Sequence, residues 1–376
     1  MTITGDRAAP GSHSPAKTRV SPPGRRLLDS AAARSLLAIV LATVALFLVS
    51  AVLAPQSVGA GAISAMLPFA AILAVVALGQ TLVVQQSGID LSVPGAFSLA
   101  VVIVARLSAG GDTTAIVVAV AVALAATAVA GLVNGLIITY LRVTPIVATL
   151  GMNALLLGAV WAVSEGAARR IPSGLSTSLG GSVLGVPVTV LVALVLTAVI
   201  AVVVKRTAAG RRFEVVGASE RVAAAAGIRR HGYVLFAYSG AAALYGLGGV
   251  LLTGIVNTPG ITEGNAYLLP SVAAVVLGGT SLRGGKGNIV ASLVAALFFT
   301  QVDRLVSTLG LSYGIQIIVQ ALALALGVAF HSGSLGRRRR GAATSTPADD
   351  EPEPESSPTT GTVPTPAVSE PTRTTR

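Results

Sequence analysis

Apolar residues run along this chain from Ser35 to about His331 in long blocks separated by short polar punctuation. The blocks are continuous. They do not alternate apolar with polar at a period of two, which argues for helices and against a membrane β-barrel. A helix that crosses a bilayer needs about 20 apolar residues. Measured on that length, the pattern predicts ten segments: 35–54, 62–86, 91–109, 114–139, 145–163, 186–204, 233–256, 267–281, 288–308 and 311–331. Segment 91–109 begins directly after a break. Segment 267–281 is too short to cross unless neighbours help it, so it reads either as a span or as a re-entrant half-helix. The expected fold is an all-α polytopic membrane protein with about ten transmembrane or re-entrant helices.

Polar stretches flank this region. Residues 1–34 are rich in Pro, Gly, Ser and Arg, and residues 332–376 in Pro, Thr, Ser and acids. Neither can bury a core, and both read as disordered cytoplasmic tails around a membrane domain at 35–331. A cleavable leader competes for the first apolar segment, with Val52 and Ala54 as small residues before a cut. Its apolar run is longer than the 7–15 residues usual for a leader, and Pro55 would follow the cut, so the anchor reading is preferred.

Composition agrees. The chain is 53% hydrophobic and 11% charged, against about 25% charged in a soluble domain. Its 42 glycines suit helices packed through small side chains. The net charge of +11 belongs to loops and tails and does not read as nucleic-acid binding. If both termini are cytoplasmic, only Arg106, Arg169, Arg170 and Arg304 of the 26 basic residues fall outside, as the positive-inside rule asks. The largest external segment is then the Gly/Ser-rich stretch 164–185. There is no Cys, which excludes disulfides, thiol nucleophiles and Cys metal sites.

The one long polar interruption is 205–232, KRTAAGRRFEVVGASERVAAAAGIRRHG. It contains a short helix signal. Ser219 suits an N-cap, Glu220 falls in the first turn where the helix dipole favours an anion, and Gly227 can close the end. Spacing alone leaves two readings open: a docking element for a cytoplasmic partner, or a plain basic loop.

Two nucleotide signatures come close and fail. GGTSLRGGKGN has Thr280 where a phosphate loop needs its first Gly, and Gly287 follows Lys286 where Ser or Thr is required. Gly246-Leu247-Gly248-Gly249 lacks the last Gly of a dinucleotide fingerprint and sits in an apolar helix. His13, His231 and His331 lie in a tail or at span edges, and Asp90 and Asp303 fall on opposite predicted sides. No catalytic constellation, metal site or cofactor site can be assembled from them.

Isolated polar residues remain in apolar helices. Gln80, Asn134 and Asn153 need a partner or a cavity. Interhelical hydrogen bonds, worth about 0.6 kcal/mol on average, explain such residues most simply. Asn134 also lies within Gly131-x-x-x-Gly135, a close-packing pattern. In the stretch from Gln80 to Gly95, Gly88, Pro94 and Gly95 interrupt an apolar run, and Asp90 with Ser92 is expected to cap the helix that follows. A helix broken at membrane depth is tolerated only where it is buried in protein or lines a cavity, which hints at transport.

GQTLVVQQSGIDLSVPG, then GLVNGLIITYLRVTPIVATLGMNALLLG, GRRFEVVGASERVAAAAGI and AAVVLGGTSLRGGKGN occur in that order over about 80–331. Together they resemble the permease subunit of bacterial ABC importers of the ribose/xylose/galactose type, in the branched-chain amino acid/sugar permease superfamily. The resemblance implies a vitamin-B12-importer-like architecture in the bacterial plasma membrane. It implies a second permease subunit, cytoplasmic ATPase subunits and an extracytoplasmic sugar-binding protein as partners, with membrane lipid around the chain. It places a coupling helix in 210–227, with Glu214, Gly217, Ser219, Glu220, Arg221 and Gly227 in the ATPase-coupling segment. Gln80, Asp90, Ser92, Asn134, Thr149 and Asn153 are the corresponding expectations for the path and its broken helix. Pro94 stands where the family commonly has Gly, and Glu220 is the one acid before the Ala-rich turn where the family commonly has more. Two alternatives stay open: a stand-alone ion-coupled transporter, and an ABC permease for a nucleoside, an autoinducer-like molecule or a branched-chain amino acid.

Overall fold

A computed structural model describes residues 31–325. The expectations on residues 1–30, on the end of the last apolar segment and on the C-terminal tail lie outside the described residues.

Helices follow the apolar blocks closely. In chain order they are α1 (Ala31–Leu53), a 3-10 turn (Pro55–Ser57), α2 (Ala60–Gln85), α3 (Val93–Leu107), α4 (Thr113–Tyr140), α5 (Pro145–Ser164) and α6 (Ser173–Gly180). The two-residue strands β1 (Ser182–Val183) and β2 (Val186–Pro187) come next. Then follow α7 (Val188–Arg206), α8 (Ala208–Ala218), α9 (Glu220–Ala225), α10 (Arg230–Thr253), α11 (Asn265–Leu277), α12 (Ile289–Thr308) and α13 (Tyr313–Ala325).

Seven of these are long and apolar enough to cross a membrane: α1, α2, α4, α5, α7, α10 and α12. Three apolar helices are shorter, α3, α11 and α13. α11 spans 13 residues, about 20 Å at 1.5 Å per residue, against the ~30 Å of a hydrocarbon core. The short block at 267–281 therefore remains short as a helix.

α2 and α10 form the centre. α10 packs on α2, α3 and α4, while α2 also meets α7, α11 and α12. α1, α4, α5 and α7 are peripheral and present apolar side chains outward, among them Leu41, Leu155 and Val195. The closeness of α4 to α10 depends on small residues. A Cβ on Gly131 would collide with the Tyr238 carbonyl, and one on Gly246 with the Thr127 side chain. Gly248 and Gly249 pack against Phe97 of α3. The near-dinucleotide glycine run is thus a helix contact, where missing side chains let backbones approach.

The stretch expected to be a plain Gly/Ser-rich loop has structure. It folds into α6 and a β1–β2 hairpin, with Ser182 opposite Pro187 and Val183 opposite Val186. Leu184 (φ 53) and Gly185 (φ 80) make the turn. Positive φ at both turn positions is what a two-residue hairpin loop of type I′ requires.

Candidate functional site

The interruption at 205–232 folds into two helices with different surroundings. Thr207 opens α8, its side chain accepting from the Gly210 N–H (3.0 Å). α8 buries Phe213, Val216 and Gly217. Ser219 closes α8 and opens α9, where its hydroxyl accepts from the Val222 N–H (3.4 Å). At the far end the Gly227 N–H donates to the Ala224 carbonyl (3.0 Å) and the Ile228 N–H to that of Ala223 (2.9 Å). Gly227 has φ +69, so this paired closure uses a conformation that glycine adopts without strain.

The acids of the segment are engaged within the chain. Glu214 pairs with Lys205 at the end of α7. Glu220 pairs with Arg230 at the start of α10 (2.9 Å). Gly217 is buried against the Gln85 carbonyl. Arg221, Val222, Ala224, Ala225 and Gly227 are exposed, Val222 at 58%. The sequence reading missed Thr207, Lys205 and Val222. An apolar residue on the open side of a short capped helix was the available signal for Val222.

α8 is bonded to the break between α2 and α3. The Gln86 side-chain N–H donates to the Phe213 carbonyl (3.0 Å). The Ser87 hydroxyl donates to the carbonyl of Arg283 (2.9 Å) or of Gly217 (3.1 Å). The Gly285 N–H donates to the Gln85 carbonyl (2.8 Å). Gly284 and Gly285 both have positive φ, and a Cβ on Gly284 would strike Ser87 and Gly217. The run that resembles a phosphate loop is a junction where three backbone segments meet.

Beyond Ser87 the break is held by polar side chains from two other helices. Asp90 Oδ1 accepts from the Ser92 N–H (2.8 Å) and the Ser92 hydroxyl (2.6 Å). Asn134 on α4 donates to the Ser92 hydroxyl (3.2 Å). The Leu91 N–H donates to Thr149 Oγ1 (3.0 Å), and the Gly95 N–H to Asn153 Oδ1 (2.8 Å). Thr149 and Asn153 lie four residues apart on α5 and so share one face.

The capping expectation holds for the Asp90 carboxylate, which accepts from the N–H of the N-cap residue, and is corrected for the Ser92 hydroxyl. Ser92 is the N-cap residue of α3 but makes no side-chain cap bond. Its φ of −84 and ψ of 1 are not the extended values that aim a cap side chain at the first turn, and its hydroxyl is taken by Asp90. Pro94 has no N–H to satisfy. The first-turn donor at Gly95 is capped instead by Asn153, 58 residues further along the chain. Gln80 lies elsewhere, buried between α2 and α10, where its Oε1 accepts from the Tyr245 hydroxyl (2.8 Å).

At the opposite end of α2 a cavity of about 400 Å³ is lined by residues including Phe69, Tyr267, Thr300, Asp303, Arg304 and Gln316. Asp303 accepts from Gln320 there (2.7 Å). Asp90 and Asp303 thus lie near opposite ends of the bundle, too far apart to act as a pair.

The family described as Branched-chain amino acid transport system / permease component matches residues 62–330. This chain belongs to that family. The ribose import permease protein RbsC of Bacillus subtilis (strain 168) is 32% identical over 264 residues, covering 69% of this chain and 80% of the relative. A probable ABC transporter permease protein, y4mJ, of Sinorhizobium fredii is 33% identical over 308 residues, covering 81% and 91%. The autoinducer 2 import system permease protein LsrC of Salmonella choleraesuis is 30% identical over 297 residues, covering 78% and 84%. No solved structure matches the chain. The protein is a multi-pass ABC permease, a transport component and not an enzyme. As such a permease it works within an ABC system, with an ATPase and a solute-binding protein.

Proposed function

We propose that this permease forms half of the translocation path of an importer for a monosaccharide, a pentose or hexose such as ribose, xylose or galactose. One observation supports the mechanism above the rest: α8 is hydrogen-bonded directly to the residues that break α2 from α3. Its relatives include ribose import permeases, which supports the cargo class.

Both termini and the 205–232 segment lie in the cytoplasm on this reading, and α9 seats in the ATPase. ATP binding there moves α9. The movement passes through α8 to Gln86 and Ser87, and from them to the break. Asp90, Ser92, Asn134, Thr149 and Asn153 hold the break in one arrangement, and its shift opens the path between this permease and a second one. Gln80 couples α2 to α10 as they rock. Arg221, Val222 and Gly227 meet the ATPase, with Ser219 and Glu220 setting the direction of α9. Glu214 and Gly217 act through the fit of α8 against the chain. A second cargo, an autoinducer-like sugar derivative, is favoured by the LsrC relative.

The test is reconstitution in vesicles with the ATPase and binding protein that co-purify from the native membrane. Uptake of a labelled pentose that requires ATP and survives collapse of ion gradients is the expected outcome. Uptake that survives ATP depletion and stops with the gradient would overturn the reading in favour of an ion-coupled transporter.

A further inference from the structure

The end of the bundle that carries α8 and α9 holds a cleft of about 710 Å³ between the α4–α5 turn, α9 and the start of α10. That volume lies within the roughly 300–1,000 Å³ of small-molecule sites. None of the roles above uses it as a site.

Its floor is buried and polar. Tyr238 is 1% exposed and Gln86 7%. The Tyr238 hydroxyl, Gln86 Oε1 and Thr139 Oγ1 are buried and have no hydrogen-bond partner among the described residues. A buried polar atom left without a partner is costly, so each such atom in a native site calls for one. The two hydroxyls donate and accept, and the amide oxygen accepts. That set matches the hydroxyl groups of a small molecule.

The rim has different chemistry. Arg142, Arg230 and His231 stand there with one acid, Glu220. Arg230 is paired with Glu220. Among the described residues Arg142 is in no ion pair, and its backbone is held at φ 55, uncommon for a residue with a side chain. The Tyr140 ring lies 5.2 Å from that of His231 on the same rim.

We infer that this cleft binds a small hydroxylated molecule bearing a phosphate monoester. Its hydroxyls bond to Tyr238, Gln86 and Thr139, and its phosphate lies on Arg142 and Arg230. Guanidinium groups suit that anion because their fixed donors match phosphate oxygens in pairs. Arg230 must then divide its donors between the phosphate and Glu220. Occupancy of the cleft therefore loosens the tie on the first turn of α9. The inference goes beyond the transport reading, because binding stands or falls whatever the path carries.

The experiment uses the permease with its ATPase partner in nanodiscs of phosphatidylcholine, titrated calorimetrically with ribose 5-phosphate, inorganic phosphate and ribose in separate runs. Ribose 5-phosphate is expected to bind at least about tenfold tighter than either of the others. Arg142→Gln is expected to weaken it by about tenfold or more, and Tyr238→Phe by severalfold. Arg142 lies on the exposed rim, so its variant reports even if Tyr238→Phe fails to fold. Adding lysophosphatidic acid, which keeps a free hydroxyl beside its phosphate, to the nanodiscs separates the two sources of a phosphate monoester. Loss of ribose 5-phosphate binding on that addition, with lysophosphatidic acid retention reduced in Arg142→Gln, supports the same site with a lipid headgroup as occupant. Equal binding of inorganic phosphate and ribose 5-phosphate, or binding indifferent to both substitutions, overturns it.

Discussion

α8 and α9 occupy one polar interruption and differ in what holds them. α8 presses Phe213, Val216 and Gly217 into the chain and is bonded at its carbonyls to Gln86 and Ser87. α9 buries Ala223 and is tied mainly through Ser219, Gly227 and one ion pair at its start. A six-residue helix is far below the ~12–15 residues at which isolated helices become even marginal, so α9 depends on its caps. The difference teaches that one polar loop can hold both a firmly seated element and an exposed one. The proposed coupling uses both properties, since an exposed end would receive a push and a seated end would deliver it.

Substitutions can separate the two halves. The largest effect is expected at the seat. Gly217→Leu forces a side chain against the Gln85 carbonyl and is expected to cost roughly 3 kcal/mol, the upper end for overpacking. A denaturation midpoint well below that of the parent protein, together with lost uptake, would be seen. An unchanged midpoint would mean that α8 is not seated as described.

Charge reversal at the exposed end comes next. Glu220→Arg is expected to leave the melting temperature nearly unchanged, since an exposed ion pair is worth about 0–1 kcal/mol. ATPase association, measured by pulldown or surface binding, is expected to fall by about tenfold, or 1.4 kcal/mol. Intact association and uptake would sink the coupling role of α9.

A smaller effect is expected at the break. Asn153→Ala removes the cap on the Gly95 N–H and is expected to cost about 1 kcal/mol, read as a modest fall in thermal stability with a larger fall in uptake. A stability loss with no change in uptake would separate the break from transport. The smallest effect belongs to Lys205→Gln, which opens an exposed pair with Glu214 and is expected to change stability by less than ~1 kcal/mol.

Much of this was legible in the chain. The apolar blocks became helices at nearly their predicted bounds, and the short block 267–281 became the short helix Asn265–Leu277. Ser219 and Gly227 bracket α9 as a hydroxyl cap and a residue free to take positive φ suggest. The Ser92 hydroxyl reads as a cap because cap signals are sought within a few residues of the helix they serve. The acceptor that caps Gly95 comes from another helix, and nothing local to Gly95 points to Asn153. The glycines of 284–287 resemble a motif for a ligand, but the neighbours they admit are Gln85, Ser87, Gly217 and Ala218.

Period, length and charge distribution determined that the chain is a bundle of apolar helices with one basic interruption, because those are properties of neighbouring residues. Tertiary structure alone decided which helices are central, which donors are capped from another helix, and that α8 touches the break. Those depend on backbones brought together across long stretches of chain, where a missing Cβ or a single amide oxygen sets the distance.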